Sequence, residues 1–241
     1  MANLIIIAAG NGKRMGDIAV PKALYEINGY PNLYNTIVKC DGLFDTIYLV
    51  IKSTAFKQFD EFCEKHKFNC ILIPIDSGLG DGHALMSALD SIVEDESIVL
   101  WGDAYLQNNE IVKELLEIEY EDSSMIFPVN IEKNPYVTII TDENMNAIAA
   151  DFSKLGENHK EGLHDQSIFK IKNGIILKTL INMHNVLWKN GRYISESKEL
   201  NLLHALHLLS CGDYPAKAYI SDYSVGCFNT CEEALNIEKT C

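Results

Sequence analysis

A glycine-rich, cationic loop follows the first apolar run of the chain, in the segment IIIAAGNGKRMG at residues 5–16. Its glycines let backbone N–H groups approach anionic oxygens closely, while Arg14 and, further on, Lys22 supply positive charge. Such a loop can hold the phosphates of a nucleotide. The alternative is that the glycines only make a tight turn after a core strand and that the cations are solvated.

Two well-defined phosphate-binding fingerprints do not fit this loop. A dinucleotide fingerprint continues into a helix and places an acidic residue about 20 positions on, at the end of the second strand. Here Pro21 interrupts the segment, and the second apolar run ends at Lys52 without a carboxylate. A P-loop needs Ser or Thr directly after its glycine-lysine pair, whereas the pair at 12–13 is followed by Arg14. A polyphosphate site of another kind therefore remains.

A carboxylate ends another apolar run, at Asp103 in the segment VLWGD. An unpaired carboxylate at the end of a buried strand is costly, so a bound Mg²⁺ ion is its natural counter-charge. The alternative is that Asp103 caps a following helix. A zinc site at His204 and His207 is disfavoured, because no third ligand is evident and HALHLL fits an amphipathic helix face.

The overall charge excludes several classes of partner. Twenty basic and 34 acidic residues give a formal net charge of −14, which repels nucleic-acid backbones and anionic membranes. A polyanionic substrate must therefore bind in a local cationic pocket.

Seven cysteines without a C-x-x-C pair indicate reduced thiols, and no run approaches the ~20 apolar residues of a membrane span. We expect a soluble cytoplasmic protein without nucleic-acid or membrane partners, and the sequence is compatible with a homodimer.

Apolar runs alternate with amphipathic stretches as far as about residue 130, a pattern typical of crossover units in a largely parallel sheet. The predicted strands lie at 3–8, 46–51, 70–74, 97–101 and 124–129. The predicted helices between them lie at 31–40, 53–66, 82–92 and 109–120. In such sheets ligands bind beyond the carboxyl ends of the strands, which is where the glycine loop and Asp103 fall.

The pattern changes after Asn134-Pro135, where shorter strand-like pieces at 136–141, 145–150 and 167–171 predict an antiparallel insertion. Two helices, at 178–188 and 198–210, and a strand–turn–helix unit at 216–240 complete the pattern. We therefore predict one α/β domain over residues 1–241, with a doubly wound, mostly parallel mixed sheet. The insertion, at about 134–175, is expected to bind an acceptor substrate.

Several motifs together resemble the signature of the nucleotidyltransferase (pyrophosphorylase) family. They are the opening run AAGNGKRM at 8–15, PKAL at 21–24, Gly29, LGDGHAL at 79–85, VLWGD at 99–103 and GCFNTCEEAL at 226–235. The family transfers a nucleoside monophosphate from a nucleoside triphosphate to a phosphorylated sugar, polyol or amino alcohol and releases pyrophosphate. The sequence is most similar to the N-acetylglucosamine-1-phosphate uridylyltransferase domain and to small cytidylyltransferases, which implies a Rossmann-like nucleotidyltransferase fold.

The resemblance implies roles for individual residues. Arg14 would bind the leaving phosphates and Lys22 the α-phosphate, and these two are the expected catalytic residues. Asp103 and Asn229 would be the Mg²⁺ ligands, with Asp222 as the substitute if the alignment is shifted and an ordinary turn or helix cap as the alternative for Asn229. The expected nucleotide-binding residues are Ala8, Ala9, Gly10, Asn11, Gly12, Lys13, Arg14, Gly78, Leu79, Gly80, Asp81, Gly82, His83 and Gly102.

Substrate choice is less well defined by the sequence. Gly78 stands where the uridylyltransferases have a uracil-contacting glutamine, so CTP and UTP both remain candidates. For the acceptor, Asp151 is expected to bind a hydroxyl and Lys172 or Lys154 the phosphate, with Asn173 beside Lys172. A surface role is the alternative for each of these residues. His164 and Asp165, in the insertion, are further candidates.

The expected function is thus a Mg²⁺-dependent nucleotidyltransferase that uses a pyrimidine nucleoside triphosphate and makes an activated sugar, polyol or related alcohol for envelope or capsule polymers. One alternative is a non-catalytic nucleotide-binding regulator with the same fold. A dinucleotide-binding oxidoreductase is a more distant one. Acetyl transfer is not expected, because no left-handed-helix module is evident after residue 240.

Overall fold

The computed structural model describes residues 3–10, 12–16, 18, 20–76, 78–153, 160–195 and 197–240. The strands in these segments are β1 (Asn3–Ile7), β2 (Glu26–Ile27), β3 (Tyr30–Pro31), β4 (Ile47–Lys52), β5 (Cys70–Ile75), β6 (Glu96–Trp101), β7 (Ala104–Leu106), β8 (Met125–Lys133), β9 (Val137–Thr141), β10 (Asn146–Phe152), β11 (Glu161–Asp165), β12 (Ile168–Lys172), β13 (Trp188–Lys189), β14 (Arg192–Tyr193), β15 (Ala216–Ile220) and β16 (Val225–Cys227).

The α-helices in the same segments are α1 (Asn32–Lys39), α2 (Phe56–His66), α3 (Asp81–Leu89), α4 (Glu110–Glu117), α5 (Asn173–Leu187), α6 (Leu206–Ser210) and α7 (Cys231–Thr240). Short 3₁₀ helices cover Lys13–Met15, Lys22–Leu24, Ser53–Ala55 and Leu202–Ala205. Within the described segments, no helix combines the length and the apolar character that a membrane span needs.

Ten strands of the described residues form one sheet, in the order β11-β9-β10-β15-β8-β12-β6-β1-β4-β5. The strands β5, β4, β1 and β6 are parallel neighbours and therefore end at the same edge. β10, β11 and β12 run against the other strands of the sheet. The interior strand β1 is buried along its whole length and aliphatic after Asn3, as a strand of a parallel sheet covered on both faces requires.

Helices cover both faces of this sheet. Leu4 and Ile6 of β1 face a core built with α1, α2 and α4. Ile5 and Ile7 face the opposite core, built with α3, α5 and α6. Successive side chains of a strand point to opposite faces, so the run NLIII supplies both cores at once. The predicted doubly wound α/β fold is confirmed.

The expected antiparallel insertion is also present, but it contains a strand that the sequence did not reveal. β11 pairs with both β9 and β8, so β8, β11, β9, β10 and β15 form a closed ring of paired strands. The sequence of β11 is EGLHD, which lacks the apolar run expected of a buried strand. β12 follows β11 after two residues and begins its pairing with β6 at the carboxyl end of β6. The end of β11 therefore lies beside the carboxyl end of β6.

Candidate active site

A cavity of about 410 Å³ opens among the segments that follow β1, β5 and β6. Its lining brings together twelve of the residues predicted from the sequence: Ala8, Ala9, Gly10, Gly12, Arg14, Lys22, Gly78, Gly80, Asp81, Gly102, Asp103 and Asn229. These residues come from four separate parts of the chain. The sheet topology and the packing of α7 are what join them.

The opening loop turns through Gly12, whose φ of +59° is one that L-residues seldom adopt. The Met15 N–H then donates to the Gly12 carbonyl over 2.8 Å, which closes a 3₁₀ turn. The Met15 side chain is buried in a small core with Phe228 and Ala234, and this core anchors the loop to α7. Arg14 is exposed, and its guanidinium lies 5.4 Å from the centroid of the Tyr136 ring at the cavity wall.

The second glycine turn, at residues 78–82, is held tightly against the segment around Leu200. Gly80 has a φ of +106°, and a Cβ atom built there would lie 2.3 Å from the Leu200 carbonyl oxygen. The Leu200 N–H donates to the Leu79 carbonyl over 2.8 Å, and the Leu202 N–H donates to Asp81 Oδ1 over 2.6 Å. Burial raises the pKa of Asp81 to about 7, and the Leu202 hydrogen bond opposes that shift.

Lys22 is the centre of the polar cluster in the cavity. Its Nζ donates to Asp103 Oδ2 over 2.5 Å and to Asn229 Oδ1 over 3.0 Å. It also lies 5.4 Å from the centroid of the Phe228 ring. A carboxylate oxygen and an amide oxygen therefore converge on one cation. Asp222, the substitute candidate, is exposed and does not line the cavity.

The Asp103 turn is fixed by backbone contacts on both sides. The Gly102 N–H donates to the Ile7 carbonyl over 2.9 Å, and a Cβ atom at Gly102 would approach that oxygen to 3.0 Å. Asn32 Nδ2 donates to the carbonyls of Gly102 and Ala104, over 3.1 and 2.9 Å. The chain then enters β7, and α4 begins only at Glu110, so Asp103 does not cap a helix.

Asn229 is positioned by the start of α7. The Glu233 carboxylate accepts hydrogen bonds from the backbone N–H groups of Asn229 and Thr230, and Thr230 Oγ1 accepts from the Glu233 N–H over 3.2 Å. This reciprocal arrangement is a capping box. Because Thr230 supplies the cap, the Asn229 side chain is free of that role and bonds to Lys22.

The structure does not bring Lys172 and Asn173 to the cavity, so they do not lie where the expected acceptor contacts would place them. β12 runs antiparallel to β6, so Lys172 pairs with Glu96 at the end of β6 opposite Asp103. Lys172 Nζ donates to the Glu121 carbonyl over 2.5 Å. Asn173 Nδ2 donates to the Glu94 carbonyl over 2.7 Å and to Ser97 Oγ over 2.9 Å, and it is buried.

Other predicted residues lie beside the cavity or cannot be placed. Asp151 is exposed on β10, while its neighbour Phe152 lines the cavity, as the alternation of a strand requires. Leu79 and Gly82, within the second glycine turn, and His83, next to it, do not line the cavity. Asn11, Lys154 and the side chain of Lys13 lie outside the described residues.

The cavity also contains residues that were not in the predicted set. Among them are Trp101, Tyr136, Phe152, Glu199 and Asn201. His164 and Asp165, the further candidates of the insertion, line it too. Asp165 Oδ1 accepts the Ser167 N–H over 3.0 Å, and burial raises the pKa of Asp165. The sequence marked Asp165 only by its place in the insertion, and the structure places it at the break between β11 and β12.

Comparison with known sequences identifies the family of this chain. The family model of the MobA-like NTP transferase domain matches residues 4–170. The bifunctional protein GlmU of Methanocaldococcus jannaschii is 32% identical over 169 residues, which are 69% of this chain and 39% of that protein. GlmU of Herminiimonas arsenicoxydans is 28% identical over 202 residues, 80% of this chain and 43% of that protein. The chain thus spans about two fifths of the length of these relatives.

Solved structures show the same fold. HddC from Yersinia pseudotuberculosis complexed with GMP-PN matches with a TM-score of 0.73 at 19% identity, covering 100% of this chain and 99% of that one. The inositol-1-phosphate CTP transferase from T. maritima matches with a TM-score of 0.74 at 13% identity, covering 97% and 91%. At these identities the likeness is one of fold.

Proposed function

The chain belongs to the MobA-like NTP transferase domain family, and from this premise we propose that it transfers a nucleoside monophosphate from a nucleoside triphosphate to a phosphorylated sugar, polyol or related alcohol, with release of pyrophosphate. The observation that carries the proposal is the convergence of Lys22, Asp103 and Asn229 in a cavity lined by two glycine turns. A non-catalytic regulator need not retain this three-residue cluster.

The reaction depends on positioning the two substrates and neutralising the charge of their phosphates more than on a protein nucleophile. An acceptor phosphate oxygen attacks the α-phosphorus, and pyrophosphate leaves on the opposite side. Lys22 would bind the α-phosphate, and Arg14 with the backbone N–H groups of the opening loop would bind the leaving phosphates. Both side chains line the cavity, so they can act on one bound triphosphate.

We also propose Mg²⁺ as the cofactor, held by Asp103 and Asn229. Oxygen donors are the ligands that Mg²⁺ prefers, and the two oxygens already share one cation, Lys22 Nζ. When bound, the ion would neutralise charge on the phosphates. The described residues hold no group of three or more His, Cys, Asp or Glu side chains suited to a metal. Metal affinity is therefore expected to depend on phosphate oxygens of the nucleotide.

The proposal extends to the use of the product and to the compartment of the protein. An activated sugar or alcohol of this kind would serve the synthesis of envelope or capsule polymers. The six described cysteines are free thiols, which supports a reducing, cytoplasmic setting.

A nucleotide screen tests the proposed function. We expect CTP or UTP to give the highest kcat/KM, because a cavity lined by two glycine turns leaves little width for a purine, and Gly78 and Gly80 leave base reading to backbone groups. The preference between these two is expected to be roughly three- to tenfold, the worth of one hydrogen bond. The measurement is pyrophosphate release with each common nucleoside triphosphate and a panel of sugar, polyol and amino-alcohol phosphates. If GTP or ATP is the best donor, only the pyrimidine assignment fails; no release with any pair contradicts the function.

Arg14→Ala tests the role of the opening loop. We expect nucleoside triphosphate binding to weaken about tenfold and monophosphate binding to change little, because the lost hydrogen bonds go to the leaving phosphates. Isothermal titration calorimetry with both ligands measures the difference. The matched control is Lys57→Ala, which removes a cation that is exposed on α2 and outside the cavity. An equal loss for the two ligands would show that Arg14 does not contact the leaving phosphates.

A further inference from the structure

Three carboxylates line the cavity in addition to Asp103, and we call Asp81, Asp165 and Glu199 the acidic wall. Asp165 is only 4% exposed. Asp81 and Asp165 each accept one backbone N–H, from Leu202 and Ser167. Over the part of the chain that the structure describes, no lysine or arginine forms a salt bridge with any member of the acidic wall.

The members of the acidic wall line the same cavity, and the charges of Glu199 and Asp165 both act on Asp81. The pKa of Asp81 is raised by burial first and then by the charges of Glu199 and Asp165. The pKa of Asp165 is likewise raised by burial and by the charge of Asp103, while the adjacent His164 acts in the opposite direction. His164 Nδ1 itself lies 3.4 Å from the Glu132 carboxylate. A positive charge placed at this wall would relieve the repulsion and stabilise the ionised forms.

Aromatic rings share the cavity with the acidic wall. Trp101 packs on Phe169, with ring centroids 5.1 Å apart, and Phe152 lies edge-on to His204 at 4.7 Å. Tyr136 already holds one cation, the Arg14 guanidinium, against its ring. Carboxylates and aromatic rings that line one cavity suit an organic ammonium group, which both can stabilise, whereas a metal ion coordinated by oxygens is not stabilised by the rings.

We propose that the acidic wall and these rings bind an ammonium group of the acceptor, so the acceptor is the phosphate of an amino alcohol, an amino sugar or another amine-bearing compound. The inference rests on the proposed function, because it takes the cavity to be shared by nucleotide and acceptor. A neutral hydroxyl would hydrogen-bond to the same carboxylates but would leave their mutual repulsion uncompensated. The phosphate end of the acceptor would reach the α-phosphate at Lys22, on the side opposite the leaving phosphates at Arg14.

Two matched pairs of small molecules test the inference. The first pair is 2-aminoethyl phosphate and 2-hydroxyethyl phosphate, and the second is glucosamine 1-phosphate and glucose 1-phosphate. Within a pair, the compounds differ by an ammonium group in place of a hydroxyl. In calorimetric titrations of the wild-type protein we expect the amine member to bind about tenfold tighter in at least one pair.

Asp165→Asn is expected to remove that preference while changing the affinity for the hydroxyl member by no more than about twofold. Glu117→Gln, an exposed change at the end of α4, is the control and should keep the preference. If Asp165→Asn does not fold by circular dichroism, Glu199→Gln provides the same comparison. Equal or weaker binding of the amine in both pairs overturns the inference, and so does a preference that survives the substitution.

Pyrophosphate release with the same compounds separates this inference from the proposed function. Transfer that is as efficient to the hydroxyl members as to the amines refutes the ammonium site and leaves the nucleotidyltransferase standing. Selective, Asp165-dependent amine binding without pyrophosphate release from any nucleoside triphosphate supports the ammonium site and refutes the proposed reaction.

Discussion

Asp103→Asn is expected to lower the rate of pyrophosphate release at saturating nucleotide by about 10³-fold and to leave the fold unchanged. The substitution keeps the size of the side chain and one oxygen for Lys22, but it removes the charge that both Lys22 and the proposed Mg²⁺ need. The turn itself is held by the Gly102 backbone and by Asn32, neither of which is altered. Circular dichroism and thermal unfolding report the fold, and a coupled pyrophosphate assay over a range of Mg²⁺ concentrations reports the rate.

Asp222→Asn is the matched comparison for Asp103→Asn. It makes the same chemical change at an exposed aspartate outside the cavity, so we expect wild-type turnover. A wild-type rate for Asp103→Asn, or a large loss for Asp222→Asn, would show that the metal-binding pair has been wrongly assigned.

Gly80→Ala is expected to lower the free energy of unfolding by roughly 2–4 kcal/mol and to abolish measurable nucleotide binding. An alanine is strained at a φ of +106°, and its Cβ would lie 2.3 Å from the Leu200 carbonyl oxygen. That oxygen belongs to backbone that is itself hydrogen-bonded to Leu79, so the turn and the segment beside it must separate. Urea unfolding measures the stability loss, and calorimetry measures the binding.

Gly174→Ala provides the control for Gly80→Ala. A Cβ atom at Gly174 meets no heavy atom within 4 Å, and the residue lies in α5, where alanine is the better helix former. We expect this variant to be as stable as the wild type or more so. If Gly80→Ala unfolds at the wild-type urea concentration and still binds nucleotide, the second glycine turn is not the rigid wall that its geometry indicates.

The parallel half of the sheet could be predicted from the sequence because its strands are continuous aliphatic runs. Runs such as NLIII are typical of strands buried on both faces of a parallel sheet, and the carboxyl ends of such strands predict where a ligand binds. The cluster of Lys22 and Asp103 followed from the opening motif and from a carboxylate at a strand end. These signals are local in sequence, so they can be recognised without knowledge of the tertiary contacts.

The proposed acceptor side could be predicted only in part, because its residues meet through long-range packing: Asp165 was a candidate, whereas Glu199 and Asn201 were not. The polar strand β11 carries Asp165 to the cavity, while the next strand carries Lys172 to the opposite edge of the sheet. β11 and β12 run in the same direction along β8, so Asp165 and Lys172 lie at opposite ends of β12, which counting residues along a motif does not show. Glu199 and Asn201 reach the cavity because their segment packs on Gly80 and Gly82, a contact between positions more than a hundred residues apart.

The contact between Lys22 and Asn229 spans 207 positions of the chain, and a second contact, from the Asn28 N–H to Glu238 Oε1, spans 210. A ribosome delivers residues in order, at about 5–20 per second, and early segments can begin to fold before late ones exist. The parallel strands and the opening glycine loop are therefore translated well before Asn229. During synthesis the opening loop therefore exists before its partners at the other end of the chain, so Lys22 gains its contact with Asn229 only when the segment that leads into α7 has been made and docked.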